Sequence, residues 1–308
     1  MKGDDLMYDV AIIGGGPGGL SAGIYAARAN LKTVIVERGL HGGQMQNTLD
    51  IENYPGFDNI EGPALSELMY EQALKVGVEW KYGDVSSVQL EGQPKALQLG
   101  DGVLQARSII IASGAKPRPL GVPGEAEFTG RGLSYCATCD GALYKGADVI
   151  VVGGGDSAIK EALLLTRYAQ TVTVIHRRDA LRAAGILRDR AFANPQIKFV
   201  WDSVVEKVEG DSRVNGVVIR NVKDNSTQVL SAKGVFIYVG VDPVTNFLQG
   251  SGILDQKGYI LTEPDMATNI PGVFAAGDVR ATSLRQIVSA ASDGAAAALH
   301  AYEYIENL

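Results

Sequence analysis

The feature that most narrows the fold is a unit that occurs twice. Asp9-Val10-Ala11-Ile12-Ile13 is a short apolar run of strand length, and it passes directly into Gly14-Gly15-Gly16-Pro17-Gly18-Gly19, a G-x-G-x-x-G turn. A stretch of small residues from Leu20 to Ala29 has helical character, and Thr33-Val34-Ile35-Val36 is a second β-branched run ending at Glu37. The pattern returns with Gly153 in the place of Gly14. Asp148-Val149-Ile150-Val151-Val152 leads into Gly153-Gly154-Gly155-Asp156-Ser157-Ala158, then a helix from about Ala158 to Tyr168, then Thr171-Val172-Thr173-Val174-Ile175. The two copies align without a gap from Asp9/Asp148 through Val36/Ile175. Strand, glycine turn, helix and strand in this order form the βαβ unit whose turn receives a dinucleotide.

The glycines have separable duties. The first permits a tight strand-to-helix turn, the second lets backbone amides approach a pyrophosphate, and the third lets helix and strand pack closely. The anion then sits at a helix N-terminus, where unpaired N–H groups and the helix dipole favour it. One such turn alone is weak evidence; two in register are strong. The later runs Leu104–Ile111 and Leu230–Ile237 also echo each other, and Pro117 and Pro243 follow them. Residues 9–117 and 148–243 therefore read as two versions of one α/β dinucleotide domain.

The residue closing the second strand separates the two nucleotides. Glu37 suits a ribose with free hydroxyls and repels a 2′-phosphate. Its counterpart is His176, followed by Arg177, Arg178 and, a turn later, Arg182. Guanidinium groups grip phosphate bidentately, so this copy points to NADPH over NADH. The alternative is a solvated surface cluster of arginines.

Composition excludes several classes. Lys plus Arg total 28 against 35 for Asp plus Glu, a net charge of −7, which speaks against a general binder of nucleic acid or anionic membrane. No window approaches the ~18 unbroken apolar residues of a membrane helix. Met1-Lys2-Gly3-Asp4-Asp5 places acids where a signal peptide would be basic, so a cytoplasmic location is expected. His41, His176 and His300 are scattered, and the two cysteines stand together, so no metal centre is expected.

Those cysteines are Cys136 and Cys139, in Cys136-Ala137-Thr138-Cys139-Asp140 between the two copies. With no other cysteine in the chain, each is the other's natural partner in a reversible disulfide, and Asp140 could exchange a proton with a thiol. The alternative is two small buried residues beside an exposed turn acid. Two nucleotide sites and a dithiol make an electron circuit. A disulfide is a poor direct hydride acceptor, and a flavin is the usual go-between.

On these stretches, with Gly42-Gly43-Gln44, Gly277-Asp278-Val279 and Arg285-Gln286, the chain resembles the low-molecular-weight thioredoxin reductases over essentially its full length. The resemblance implies two Rossmann-like three-layer dinucleotide-binding domains, one inserted in the other. An FAD domain would comprise residues 1–117 and 246–308, and an NADPH domain residues 118–245. FAD contacts would come from Gly14, Gly16, Pro17, Gly18, Gly19, Glu37, Arg38, Gly43, Gln44 and Asn53. Others would come from Ala112, Ser113, Gly114, Gly277, Asp278, Arg285, Gln286 and Ile287, the last group opening an alanine-rich helix that runs to about His300. NADPH would be held by Gly153, Gly155, Asp156, Ser157, Ala158, His176, Arg177, Arg178 and Arg182. Electrons would reach the Cys136–Cys139 disulfide with Cys139 nearer the flavin and Asp140 as acid–base group, then pass to the disulfide of thioredoxin. The family is homodimeric, and its domains rotate between two arrangements, with hinges here near 116–120 and 241–245.

The chain departs from the pattern at Ala142-Leu143 and Leu284, where aromatics are usual, and at Lys160, where an acid is common. Competing readings are a flavin dithiol enzyme serving a peroxiredoxin-type protein, a ferredoxin-fed variant, or a dithiol oxidase using O₂. The arginine cluster argues against the ferredoxin-fed form. A further reading, a nucleotide sensor that passes on no electrons, leaves the Cys pair beside Asp140 unexplained.

Overall fold

A computed structural model describes residues 7–47, 51–282 and 284–308. The chain divides into two compact units: Met1–Leu49, Tyr54–Lys116 and Asp242–Leu308 form the first, and Asp50–Asn53 with Pro117–Val241 form the second.

In the first unit Glu79–Tyr82, Thr33–Glu37, Tyr8–Ile13 and Gly102–Ile111 lie side by side as parallel strands. Val273–Ala275 pairs with the second half of Gly102–Ile111, and a hairpin of Ser87–Gln89 and Lys95–Leu99 pairs with its first half. The central strands are nearly continuous apolar runs because a parallel sheet is covered on both faces. Ile13, Val36, Leu97, Ile109, Ile111 and Val273 are among the buried residues of one core cluster. Each such side chain contributes about 1.5–3 kcal/mol by leaving water.

Helices Pro17–Arg28 and Ile287–Glu306 meet backbone to backbone. A Cβ on Gly294 would stand 2.0 Å from the Gly18 carbonyl oxygen, and Ser21 Oγ donates to the Ala291 carbonyl at 2.7 Å. This contact is the physical reason for the alanine-rich sequence. The helix continues past His300 to Glu306, because Ala301 and Ile305 extend its buried stripe.

The second unit has a parallel sheet in the order Ile197–Val200, Thr171–Ile175, Asp148–Val152, Gly234–Ile237, Leu133–Ser134. Successive side chains of a strand point to opposite faces. Val149 and Val151 therefore join Ala158, Ile159 and Leu165 in one core, while Ile150 and Val152 join Val205, Val208 and Val217 in another. The first core lies under helix Asp156–Leu165. The second lies under an antiparallel sheet of Ser203–Gly210, Val214–Asn221 and Thr227–Ser231, so this unit has three layers. The helix begins two residues ahead of the sequence expectation, with Asp156 in its first turn, where the dipole favours an acid. Among the described residues no helix is long and apolar enough to cross a membrane.

Candidate active site

Strand register gathers the first nucleotide site. Ile13 pairs with Val36 and with Ile111, and Ile111 with Ala275, so the chain leaves four neighbouring strands at the same level. The residues that follow are Gly14, Glu37, Ala112 and the Ala276-Gly277 turn. This is the carboxyl edge of a parallel sheet, where such folds bind ligands.

Gly14 has φ +105°, and a Cβ there would stand 2.4 Å from the Ala112 carbonyl oxygen. A Cβ on Gly19 would meet the Gly14 oxygen at 1.8 Å. Both positions are closed to a side chain by the fold itself. Gly16 differs: nothing lies within 4 Å of where its Cβ would stand. It is the N-cap of helix Pro17–Arg28, no side chain caps the first turn, and Pro17 occupies the first helical position. An uncapped helix N-terminus opening onto free space beside a glycine is a cradle of the kind a pyrophosphate fills.

The Glu37 carboxylate accepts the amides of Gly15 at 2.7 Å and Gly39 at 2.9 Å, which fixes it at the loop with acceptor capacity left for ribose hydroxyls. Arg38 beside it is exposed. Gly43 would place a Cβ 3.4 Å from Gly16 Cα, and Gln44 Nε2 donates to the Ala115 carbonyl at 3.4 Å. Ser113 Oγ donates to Val244 O at 2.7 Å, and Gly114 has φ +71°. Gly277 (φ +74°) gives its amide to Asp293 at 3.1 Å, and Arg280 pairs with the same carboxylate at 2.7 Å, which sets the turn bearing Asp278. Arg285 sits at φ +60° and donates to the Tyr259 hydroxyl at 2.9 Å. Gln286 caps the helix that starts at Ile287 through a reciprocal box with Ser289. Asn53 lies in the short segment that belongs to the second unit.

Sequence reasoning missed the supports. Trp80 lies against Gly15, where a Cβ would be 2.3 Å from the ring. His41 bonds Ser66 at 2.8 Å, pairs with Glu67 at 3.1 Å and stacks on Tyr70 at 4.2 Å, tying down the loop whose Gly42 amide donates to Gly15 O. No local motif announces contacts of this range.

The second nucleotide site repeats the design. Gly153 (φ +145°) would place a Cβ 2.4 Å from the Tyr238 carbonyl oxygen and 2.9 Å from Ala158 Cβ, while Gly155, the N-cap of Asp156–Leu165, faces open space. Asp156 accepts the Ala184 amide at 2.7 Å, and the Arg182 amide donates to Gly154 O at 2.7 Å, so the arginine loop is anchored to the glycine turn. Ser157, Arg177, Arg178 and Arg182 are exposed, and no ion pair engages these three arginines among the described residues. His176 is 5% exposed, with its ring against Gly154 and, among the described residues, no hydrogen-bond partner for Nε2. Burial, and then Arg182, Arg178 and Arg177, push its pKa down, so the ring is neutral near pH 7 and adds no charge to the cluster.

In the same unit Cys136 and Cys139 form a disulfide. Cys136 caps the one-turn helix Ala137–Asp140, and its Sγ accepts the Cys139 amide at 3.2 Å. The Cys136 amide donates to Ser134 Oγ at 3.0 Å, and the Ala137 amide to the Tyr238 hydroxyl at 2.6 Å. Cys136, Cys139 and Asp140 are all part-exposed. Burial and then Asp140 raise Tyr144 to about 12. Leu143 is 49% exposed and Leu284 73%, so two of the departures lie on the surface.

Comparison with known proteins agrees with this geometry. Residues 8–294 match the pyridine nucleotide-disulphide oxidoreductase family. The chain is 51% identical over 309 residues to the thioredoxin reductase of Listeria monocytogenes, covering 100% of this chain and 97% of the relative. It is 47% identical over 306 residues to that of Bacillus subtilis, covering 99% and 97%. Among solved structures, the thioredoxin reductase of Streptococcus pyogenes has a TM-score of 0.96 at 51% identity, covering 99% of this chain and 100% of that one. That of Giardia duodenalis has a TM-score of 0.93 at 41% identity, covering 97% and 99%. The chain belongs to the pyridine nucleotide-disulphide oxidoreductases and, within them, to the thioredoxin reductases.

Proposed function

We propose that the first unit's glycine loop holds FAD, the second's holds NADPH, and the Cys136–Cys139 pair hands electron pairs to the disulfide of thioredoxin. The observation that carries this is the part-exposed disulfide standing in the same unit as a glycine turn with free arginines. FAD, when bound, supplies a two-electron relay between a nicotinamide and a disulfide, which cannot exchange hydride efficiently with each other.

The chain's own residues divide the work. Gly16 and the first turn after it would receive the FAD pyrophosphate, and Glu37 would accept from the adenosine ribose. Asp278, Arg285 and the N-terminus of Ile287–Glu306 would hold the other end of the cofactor, since a positive helix end favours negative charge. Asn53 belongs to this contact set as a sequence-based assignment. Arg177, Arg178 and Arg182 would bind the 2′-phosphate of NADPH, and Gly155 would admit its pyrophosphate. When the Cys136–Cys139 bond opens, Cys139 would be the sulfur that takes electrons from the relay and Cys136 the one that attacks the disulfide of thioredoxin. Asp140 holds the proton that the departing thiolate takes. Disulfide exchange then restores the Cys136–Cys139 bond and leaves thioredoxin as a dithiol. The same reading makes residues 1–117 and 246–308 the FAD domain, residues 118–245 the NADPH domain, and the enzyme a cytoplasmic homodimer.

The test is NADPH oxidation by the purified protein with oxidised thioredoxin, with and without oxygen. Turnover that needs thioredoxin and persists anaerobically supports the assignment. NADPH oxidation that needs only oxygen would make O₂, not thioredoxin, the terminal acceptor and overturn the assignment.

A further inference from the structure

The two residues between the cysteines are each engaged by a titratable side chain that the reaction above does not use. The Ala137 amide donates to the Tyr238 hydroxyl at 2.6 Å, and Thr138 Oγ1 lies 3.5 Å from Glu161 Oε2. Tyr238 follows strand Gly234–Ile237, and its carbonyl packs on Gly153. Glu161 lies on helix Asp156–Leu165, which starts at the second glycine turn. The redox turn and the nucleotide turn therefore share their supports.

We propose that Glu161 and Tyr238 are positioning residues that set the acidity and the reduction equilibrium of the Cys136/Cys139 couple, Glu161 through the charge it holds against Thr138 between the two cysteines and Tyr238 by anchoring the backbone of the turn. This rests on the reading of that pair as the redox couple. Opening the Cys136–Cys139 bond takes two electrons, which the reductase activity supplies from NADPH, and leaves charge on sulfur that up to two protons neutralise. Asp140 accounts for one acid group near the turn. Glu161 is a second: burial raises its pKa, with Thr138 and then Lys160 opposing the rise. The charged and titratable groups around the pair are Lys160 on Glu161's own helix, Tyr238, Asp140, and Tyr144 with Arg213 facing it. Tyr238 is raised first by burial and then by the Glu161 charge, so the carboxylate and the hydroxyl sense each other. A negative charge held against the turn disfavours a thiolate forming within it, so the charge of Glu161 and the ionisation of the dithiol are linked.

The experiment measures the pH dependence of iodoacetamide alkylation of the reduced full-length protein, and its equilibrium with oxidised and reduced dithiothreitol. Neither readout needs NADPH or thioredoxin. E161Q keeps an acceptor for Thr138 without the charge, so the alkylation midpoint should fall by about one pH unit, a tenfold gain in thiolate below it. Thr138→Val, on an exposed side chain, should move it the same way by a smaller amount and covers the case in which E161Q does not fold. Y238F removes an anchor of the disulfide form and should shift the equilibrium at least threefold toward dithiol. Midpoints and equilibria matching the parent within twofold, whatever the melting temperatures, overturn the proposal. If the parent itself shows no thiol titration linked to reversible reduction, the redox assignment of the pair has failed instead.

Discussion

Gly16→Ala separates a glycine required by the fold from one required by the ligand. Gly16 has φ −76° and ψ −176°, a backbone that alanine adopts freely, and its Cβ would touch nothing within 4 Å. Alanine gains about 0.4–1 kcal/mol through a less flexible unfolded chain and loses a comparable amount as a poorer N-cap. The flavin-free protein should keep its stability within about 1 kcal/mol. Binding should suffer far more, because the new methyl stands where the pyrophosphate approaches the first turn of the helix. Charged hydrogen bonds are worth about 1.5–3 kcal/mol each, so losing two weakens FAD more than a hundredfold. Gly155→Ala should act in the same way on the KM for NADPH. Gly19→Ala is the contrast: its Cβ would stand 1.8 Å from Gly14 O, so it damages the apoprotein itself. Calorimetry of the apoprotein and flavin fluorescence on binding give the two quantities. Gly16→Ala with FAD affinity within about threefold of the parent would refute the cradle assignment.

Other substitutions probe the remaining parts. Arg177→Ala with Arg178→Ala should raise the KM for NADPH at least tenfold while leaving that for NADH nearly unchanged, since exposed charged contacts to phosphate are lost only with the former; equal losses would show that the 2′-phosphate is not read there. Cys139→Ser should let NADPH bleach the flavin and yet abolish turnover of a disulfide, followed by stopped-flow absorbance. Glu37→Ala should loosen FAD by one to two orders of magnitude, because the Gly15 and Gly39 amides lose their acceptor along with the ribose; retention of flavin through gel filtration would contradict it. Gly294→Val should destabilise the apoprotein by at least about 3 kcal/mol in urea unfolding, because the helix Pro17–Arg28 occupies the space its Cβ needs.

What the chain revealed in advance was local. Each glycine turn lies between its own strand and helix, so spacing alone located Gly14, Gly16, Gly19, Gly153 and Gly155, and the two cysteines lie three residues apart. The fold class followed from the repeat of that unit. The supports did not, because they join distant segments: Tyr238 reaches the Ala137 amide across 101 residues, and Ser21 reaches Ala291 across 270. Asp293 under the Asp278 turn is hidden in the same way, inside a helix whose alanine pattern advertises only packing. His176 shows a subtler limit. Its place at the strand end is legible in the sequence, but the burial of its ring against Gly154, beside exposed arginines, is not.

The most direct test of the central claim is anaerobic titration of the FAD-loaded protein with NADPH, following flavin absorbance together with thiol content. One NADPH per chain should go to the disulfide and a second to the flavin, with Cys136 and Cys139 becoming free thiols, and Cys139→Ser should consume only the one that bleaches the flavin. A parent protein that stops after a single NADPH, with its disulfide still closed, would contradict the proposed route of electrons.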